Sequence, residues 1–248
     1  MTYAGFLLLF LILPTSLQLW GIWQMQKRGH FKASDLSYHW RGVAILACVA
    51  FVWTTPWDNY LIFRGVWDSP ADRVLGRIFY VPLEEYAFFI LMPLFNGACL
   101  CWFIGSLPKE PSTWRLSQWR ARLVILLLGL LVFCAGVYAL RQERGVYLGL
   151  ILVWFIPPIM IQWLFDPAAL FRARRVVLLG ALLPAIYFGL VDSFAIQQVI
   201  WVISEKNTTG LHLPNLPVEE LIFFTLTSFL LSQGMALWHS INKPLSHS

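Results

Sequence analysis

Seven long apolar runs follow one another along the chain, at about residues 3–25, 42–62, 79–104, 121–140, 146–165, 176–203 and 216–239. Each run is close to the length of about 20 residues that an α-helix needs to cross the hydrocarbon core of a bilayer. The runs lack the alternating pattern of a membrane β-barrel, and a helix satisfies its own backbone hydrogen bonds in lipid. The pattern therefore predicts an all-α polytopic membrane protein with seven transmembrane helices.

The composition supports the same class of protein. Hydrophobic residues make up 58% of the chain and charged residues only 12%, against about a quarter charged in a typical soluble domain. The formal net charge is +5, but the basic residues lie in short connections between the apolar runs, where they act as topology signals. We therefore expect the chain to reside in the lipid bilayer and to have no nucleic-acid partner.

The basic residues also predict the orientation in the membrane. Alternate connections form two sets, and the set with more Lys and Arg is expected to be cytoplasmic. The richer set holds twelve basic residues: Lys27, Arg28, Lys32, Arg41, Lys109, Arg115, Arg120, Arg122, Arg172, Arg174, Arg175 and Lys243. The poorer set holds six: Arg64, Arg73, Arg77, Arg141, Arg144 and Lys206. We expect an integral protein of a prokaryotic cell membrane, with its N-terminus outside, its C-terminus cytoplasmic and its first run kept as a span.

The chain also repeats itself. The correspondences pair Asp58 with Asp192, Pro82 with Pro217, Glu84 with Glu219, and Glu85 with Glu220. The interval from the aspartate to the first glutamate is 26 residues in the first copy and 27 in the second. We therefore predict a three-span repeat at 1–104, a loop and linker span at 105–140, a second three-span repeat at 141–239, and a cytoplasmic tail at 240–248. An odd number of intervening spans makes the two repeats parallel, with an axis along the membrane normal.

The repeated acids are the candidate catalytic residues. Acids in the first turn of a helix commonly do no more than stabilise that helix end, and a single Pro-x-Glu-Glu would be explained in this way. Two copies at one membrane depth, each with an aspartate on the preceding span, favour a shared functional site, because ionisable residues inside a helix bundle are usually functional. Consecutive helical side chains point about 100° apart, so one glutamate of each pair is expected to turn inward. We favour Glu84 and Glu219 for that position, ahead of Glu85 and Glu220, with Asp58 and Asp192 beside them.

Aromatic residues cluster around these acids. A belt of Trp and Tyr at the membrane interface is the ordinary explanation, but rings that faced a cavity would stabilise a cation there. The candidate substrate-binding residues are Trp57, Tyr60, Trp67, Tyr86, Phe88 and Phe223. The four cysteines lie within apolar runs and have no paired metal spacing, so we expect neither a metal site nor a disulfide.

Four motifs carry a resemblance to a known family. They are PWDNYLI (56–62), GVW (65–67), VLG (74–76) and VPLEEYAFF (81–89). With them the sequence resembles the membrane-integral, heterodimer-type lycopene cyclases, here as one fused chain, over nearly its whole length. In the second copy Asp192 is followed by Ser193 and Phe194, and we recognise no counterpart of GVW.

The resemblance implies an enzyme, a lycopene β-cyclase, that closes the linear ends of lycopene to β-ionone rings without a cofactor. It implies that the first acid of each motif, Glu84 and Glu219, takes part in the reaction. Such chemistry needs a carboxylic acid that keeps its proton near neutral pH, which burial beside a second acid favours. It also suggests association with a carotenoid synthase or desaturase that passes on an insoluble substrate.

Other classes fit less well. A retinal protein needs a Lys inside a helix for its Schiff base, and all five lysines lie in connections or in the tail. A flavin-dependent enzyme would need a Gly-rich nucleotide-binding turn, which the sequence lacks. The serious alternative is a proton-coupled transporter or channel that uses the same acids. That alternative predicts polar residues at several depths, whereas the acids here lie mainly on one side of the membrane.

Overall fold

The computed structural model describes residues 1–106 and 117–242, with side chains described for 1–103 and 117–241. Eight helices occupy most of this part of the chain: α1 (Tyr3–Lys27), α2 (Ala33–Phe63), α3 (Leu83–Ser106), α4 (Gln118–Ala139), α5 (Val146–Phe165), α6 (Pro167–Arg172), α7 (Arg174–Gln197) and α8 (Val218–Asn242). All of them except α6 are long and apolar enough to cross a membrane. The predicted all-α polytopic fold with seven spans is therefore confirmed. Lys109, Arg115, Lys243 and most of the predicted loop and tail lie outside the described residues.

Six strands of two residues each interrupt the helical pattern at one end of the bundle: β1 (Trp67–Asp68), β2 (Arg77–Ile78), β3 (Val81–Pro82), β4 (Val202–Ile203), β5 (His212–Leu213) and β6 (Leu216–Pro217). Strands β2 and β3 form a hairpin immediately before α3, and β5 and β6 form the corresponding hairpin before α8. These hairpins explain why α3 begins at Leu83, later than predicted, and the connection that carries β4 explains why α7 ends before residue 203. Antiparallel pairing of β1 with β4 joins the two halves of the chain.

The order of elements is the same in both halves. Helices α1, α2 and α3 correspond to α5, α7 and α8, and a strand and a hairpin separate the second helix from the third in each half. Helix α3 packs on α1, α2, α7 and α8, while α8 packs on α5, α7, α2 and α3. This arrangement is consistent with two parallel repeats, although the repeat boundaries at residues 104 and 141 stay a prediction. Helix α4 packs mainly along α5 and exposes most of its leucine-rich surface.

The second helix of each half ends in the same way. The amide of Gly65 donates to the Ile62 carbonyl and the amide of Val66 to the Leu61 carbonyl, and equivalent bonds link Val199 and Ile200 to α7. This Schellman arrangement requires a left-handed residue after the helix. Gly65 supplies it with φ +64° and Val199 with φ +51°. The two halves therefore share one backbone conformation at this position, although one half has glycine there and the other has valine.

Candidate functional site

A small cavity lies at the hairpin end of the bundle, where the two halves meet. Its volume is about 50 Å³, and its walls come from α1, α2, α3, α5, α7 and α8 together with the segments that carry β1 and β4. Four carboxyl groups line it, two from each half: Asp58, Glu85, Asp192 and Glu220. Most of the other lining residues are aromatic or aliphatic. The site is therefore an apolar chamber in which acidic groups are concentrated.

The four acids are withdrawn from solvent and close to one another. Their relative exposures are 3% for Asp58, 9% for Glu85, 2% for Asp192 and 5% for Glu220. Asp58 and Asp192 each lie within electrostatic range of both Glu85 and Glu220. The cavity lining contains no lysine or arginine, so no basic side chain in the walls balances these acids.

Each acid accepts one hydrogen bond from an aromatic side chain, and the two halves match. The indole Nε1 of Trp67 donates to Asp58 Oδ1 at 2.9 Å, and Nε1 of Trp201 donates to Asp192 Oδ1 at 2.7 Å. The hydroxyl of Tyr147 donates to Glu220 Oε1 at 2.6 Å. The hydroxyl of Tyr3 donates to Glu85 Oε2 in the same manner. Two equivalent sets of carboxyl groups and donors therefore share one chamber.

Glu84 and Glu219, which the sequence analysis favoured for the inward position, turn inward but do not line the cavity. Oε1 of Glu84 accepts the backbone N–H of Leu75 at 2.8 Å, and Oε1 of Glu219 accepts that of Thr209 at 2.7 Å. Both glutamates are buried, but they face the loop that precedes their own helix. Because the next residue lies about 100° further round the helix, the second glutamate of each pair is the one that reaches the cavity.

Comparison with known proteins places the chain in a family. The family model of lycopene cyclase matches residues 1–103 and 144–236, which include all four cavity acids. The chain belongs to the lycopene cyclase family.

The relatives are both archaeal and fungal. The chain is 36% identical over 197 residues to the lycopene beta-cyclases of two strains of Halobacterium salinarum, covering 79% of this chain and 81% of theirs. It is 31% identical to the bifunctional lycopene cyclase/phytoene synthase of Phycomyces blakesleeanus over 217 residues, covering 82% of this chain but 36% of the fungal protein. No solved structure matches this lycopene cyclase family member.

The predicted aromatic residues divide into two groups. Four of them line the cavity of this lycopene cyclase family member: Trp57, Trp67, Phe88 and Phe223. The other two lie outside its lining. Tyr60 is 42% exposed and its hydroxyl accepts from Arg64 Nη1 at 3.0 Å, whereas the Tyr86 hydroxyl donates to the Ile78 carbonyl at 3.2 Å. Tyr60 therefore lies on the surface of the protein, and Tyr86 holds the β2–β3 hairpin.

Three polar partners of the acids were missed by sequence reasoning. Trp201 follows Asp192 at the same nine-residue interval that separates Trp67 from Asp58. It is therefore the counterpart of the tryptophan in GVW, which the sequence pattern concealed because the preceding residues differ. Tyr3 and Tyr147 carry a weaker signal, since each lies in the first turn of the first helix of its half.

Proposed function

We propose that the chain closes the linear ψ end groups of lycopene to β-ionone rings, giving γ-carotene and then β-carotene. Membership of the lycopene cyclase family supports the substrate class, and the lycopene beta-cyclases of Halobacterium salinarum support the ring type. The observation that carries the proposal is the meeting of four buried carboxyl groups in one aromatic chamber.

The chemistry needs two carboxyl groups in different protonation states. A carboxylic acid protonates the terminal double bond at C2 and leaves a tertiary cation at C1. The C5–C6 double bond then attacks C1, which forms the C1–C6 bond and moves the positive charge to C5. A carboxylate removes the proton from C6 and restores a double bond between C5 and C6. Substrate and product are isomers, so the sequence consumes no redox equivalents.

We assign the acid and base roles to the cavity acids Glu85, Glu220, Asp58 and Asp192. The aromatic rings around these acids suit the reaction, because the negative π face of an aromatic ring stabilises a carbocation. The apolar rings around the acids leave little room for water, which would capture the cation as an alcohol. Glu84 and Glu219 have a different function in this proposal: they hold the loops before α3 and α8 and so fix the position of the next residue.

The volume of the chamber bears on how the substrate enters. About 50 Å³ is well below the roughly 300 Å³ of a typical small-molecule pocket. The ψ end group therefore enters only when aromatic side chains separate, and Trp57 and Phe223, stacked with ring centroids 5.6 Å apart, are the pair we expect to open. The remaining polyene stays among the apolar helices and lipid.

Pigment analysis in a lycopene-accumulating bacterial host tests the proposal. The wild-type chain should convert lycopene to carotenoids with one or two β-rings, and the double variant Glu85→Gln/Glu220→Gln should leave lycopene unchanged. Membrane immunoblots control for the amount of protein. A wild-type chain that is present in the membrane but forms no ring would overturn the proposal and favour a transporter that uses the same acids.

The proposal also covers the surroundings of the enzyme. We propose an orientation with the cavity end outside and the C-terminus cytoplasmic, as the bias of basic residues indicates. We further propose that the chain associates with a carotenoid synthase or desaturase, since the fungal relatives are named as bifunctional cyclase/phytoene synthases. Cysteine-labelling of residue 141 or 172 from either side of the membrane tests the orientation, and co-purification with a tagged synthase tests the association.

A further inference from the structure

We propose that the β1–β4 strand pair is a positioning element for ring closure, in which Trp67 and Trp201 hold Asp58 and Asp192 so that one carboxylate oxygen of each stays available to the substrate. This inference rests on the function proposed above. It concerns the two indoles, which act through the aspartates.

The two oxygens of each aspartate have different surroundings. Oδ1 accepts the indole N–H, at 2.9 Å in Asp58 and 2.7 Å in Asp192. Oδ2 of both residues is buried and has no hydrogen-bond partner among the residues that the structure describes. A buried carboxylate oxygen without a partner is costly, and that cost is offset when positive charge develops beside it in the transition state. Oε2 of Glu84 and of Glu219 is equally unpartnered within residues 1–103 and 117–241, but of these four acids only Asp58 and Asp192 line the cavity. Their Oδ2 atoms can therefore meet the end group when the aromatic side chains separate.

The strand pair fixes both indoles at once. Strand β1 pairs with β4 in the register Trp67 with Ile203 and Asp68 with Val202. Asp68 and Val202 each lie ten residues after the aspartate of their own half, so equivalent positions pair with each other. A local twofold axis therefore passes through this strand pair, and the two tryptophans occupy equivalent places on either side of it.

Further bonds hold the pair in place. The amide of Ser204 donates to the Val66 carbonyl at 2.8 Å, which continues the pairing beyond the strands. Asp68 forms an ion pair with Arg77 Nη1 at 2.7 Å, and Arg77 begins the hairpin before α3. The position of each indole thus depends on contacts that span both halves of the chain.

Trp57 provides a contrast within the same cavity. It is even more buried than the other two tryptophans, at 3% exposure against 8% for each of them, but its Nε1 has no hydrogen-bond partner in the described part of the chain. Phenylalanine at position 57 removes an indole without removing a hydrogen bond, whereas phenylalanine at 67 or 201 removes both. Comparing these variants therefore separates the effect of losing the indole hydrogen bond from the effect of losing the indole ring.

The test measures turnover of lycopene by the purified full chain in lipid nanodiscs. We expect Trp67→Phe and Trp201→Phe to lower kcat about ten- to hundredfold, as for loss of a hydrogen bond to a charged group, with little change in KM. Trp57→Phe should lower kcat by a smaller factor than either of these variants. Trp154→Phe, whose Nε1 is also unpartnered and which lies outside the cavity lining, should turn over lycopene at the wild-type rate. Trp67→His, which keeps a ring N–H, should recover part of the loss.

Each other outcome counts against the inference. If Asp58→Asn slows ring closure but Trp67→Phe lowers kcat no more than Trp57→Phe does, the indoles do not position the aspartates. The proposed function would still stand in that case. If the phenylalanine variants at 67 and 201 fail to accumulate while the variant at 57 accumulates normally, the indoles are required for folding and the inference is rejected. A wild-type chain without cyclase activity would reject the proposed function itself.

Discussion

Adjacent glutamates with different surroundings allow a sharp test of which one does the chemistry. Oε1 of Glu84 accepts the Leu75 amide at 2.8 Å, whereas Glu85 lines the cavity and accepts the Tyr3 hydroxyl. Glutamine preserves an acceptor oxygen at either position but cannot donate or take a proton as a carboxyl group does. Alanine removes the acceptor as well.

The expected magnitudes differ by mechanism. Loss of general acid–base catalysis costs about 10²–10⁴ in rate, equivalent to about 3–5 kcal/mol of barrier, and we expect this for Glu85→Gln. Glu84→Gln keeps an acceptor for the Leu75 amide, so the free energy of unfolding should change by no more than about 1 kcal/mol. Glu84→Ala removes the acceptor of the Leu75 amide, which should lower the free energy of unfolding by about 1–3 kcal/mol and with it the thermal midpoint.

The assay combines lycopene turnover in nanodiscs with thermal unfolding followed by size-exclusion chromatography. Glu219 and Glu220 provide an internal replicate, since Glu219 accepts the Thr209 amide at 2.7 Å in the same way. The reasoning is refuted if Glu84→Gln is a hundredfold slower than wild type with an unchanged thermal midpoint while Glu85→Gln turns over normally. That pattern would return the chemistry to the first acid of each motif.

Three further predictions follow from the backbone and the shared cavity. Val199→Gly should raise the free energy of unfolding by about 1–3 kcal/mol, because a β-branched residue at φ +51° is strained. Gly65→Val should lower the free energy of unfolding for the same reason, and equal thermal midpoints for the two variants would disprove the argument. Gly149→Ala should lower the thermal midpoint, because the new Cβ would lie 2.8 Å from the Gly136 carbonyl oxygen, where α4 meets α5. An unchanged thermal midpoint would show that α4 and α5 can move apart without loss of stability. Since one cavity receives one end group at a time, labelled lycopene should give labelled γ-carotene that leaves the enzyme before its second ring closes. Added unlabelled γ-carotene should then lower the label in β-carotene, and an undiminished label would indicate that both ends react in one binding event.

The sequence by itself determined the membrane fold. Helical hydrogen bonds are local and lipid offers no alternative partner, so runs of about 20 apolar residues sufficed to locate all seven spans. The recurrence of Asp58 as Asp192 and of the glutamate pairs likewise indicated six acids, and the four that line the cavity are among them. The six two-residue strands were not predicted, because segments so short carry no alternating pattern.

Tertiary structure alone decided which member of each glutamate pair faces the cavity. Spacing along a helix gives the angle between Glu84 and Glu85, but packing against neighbouring helices sets the rotation of α3 about its own axis. The hydrogen-bond donors are equally beyond local sequence, since Tyr3 lies 82 residues from Glu85 and Tyr147 lies 73 residues from Glu220. Partners so distant in the chain meet because the first helix of each half packs against the third helix of the same half.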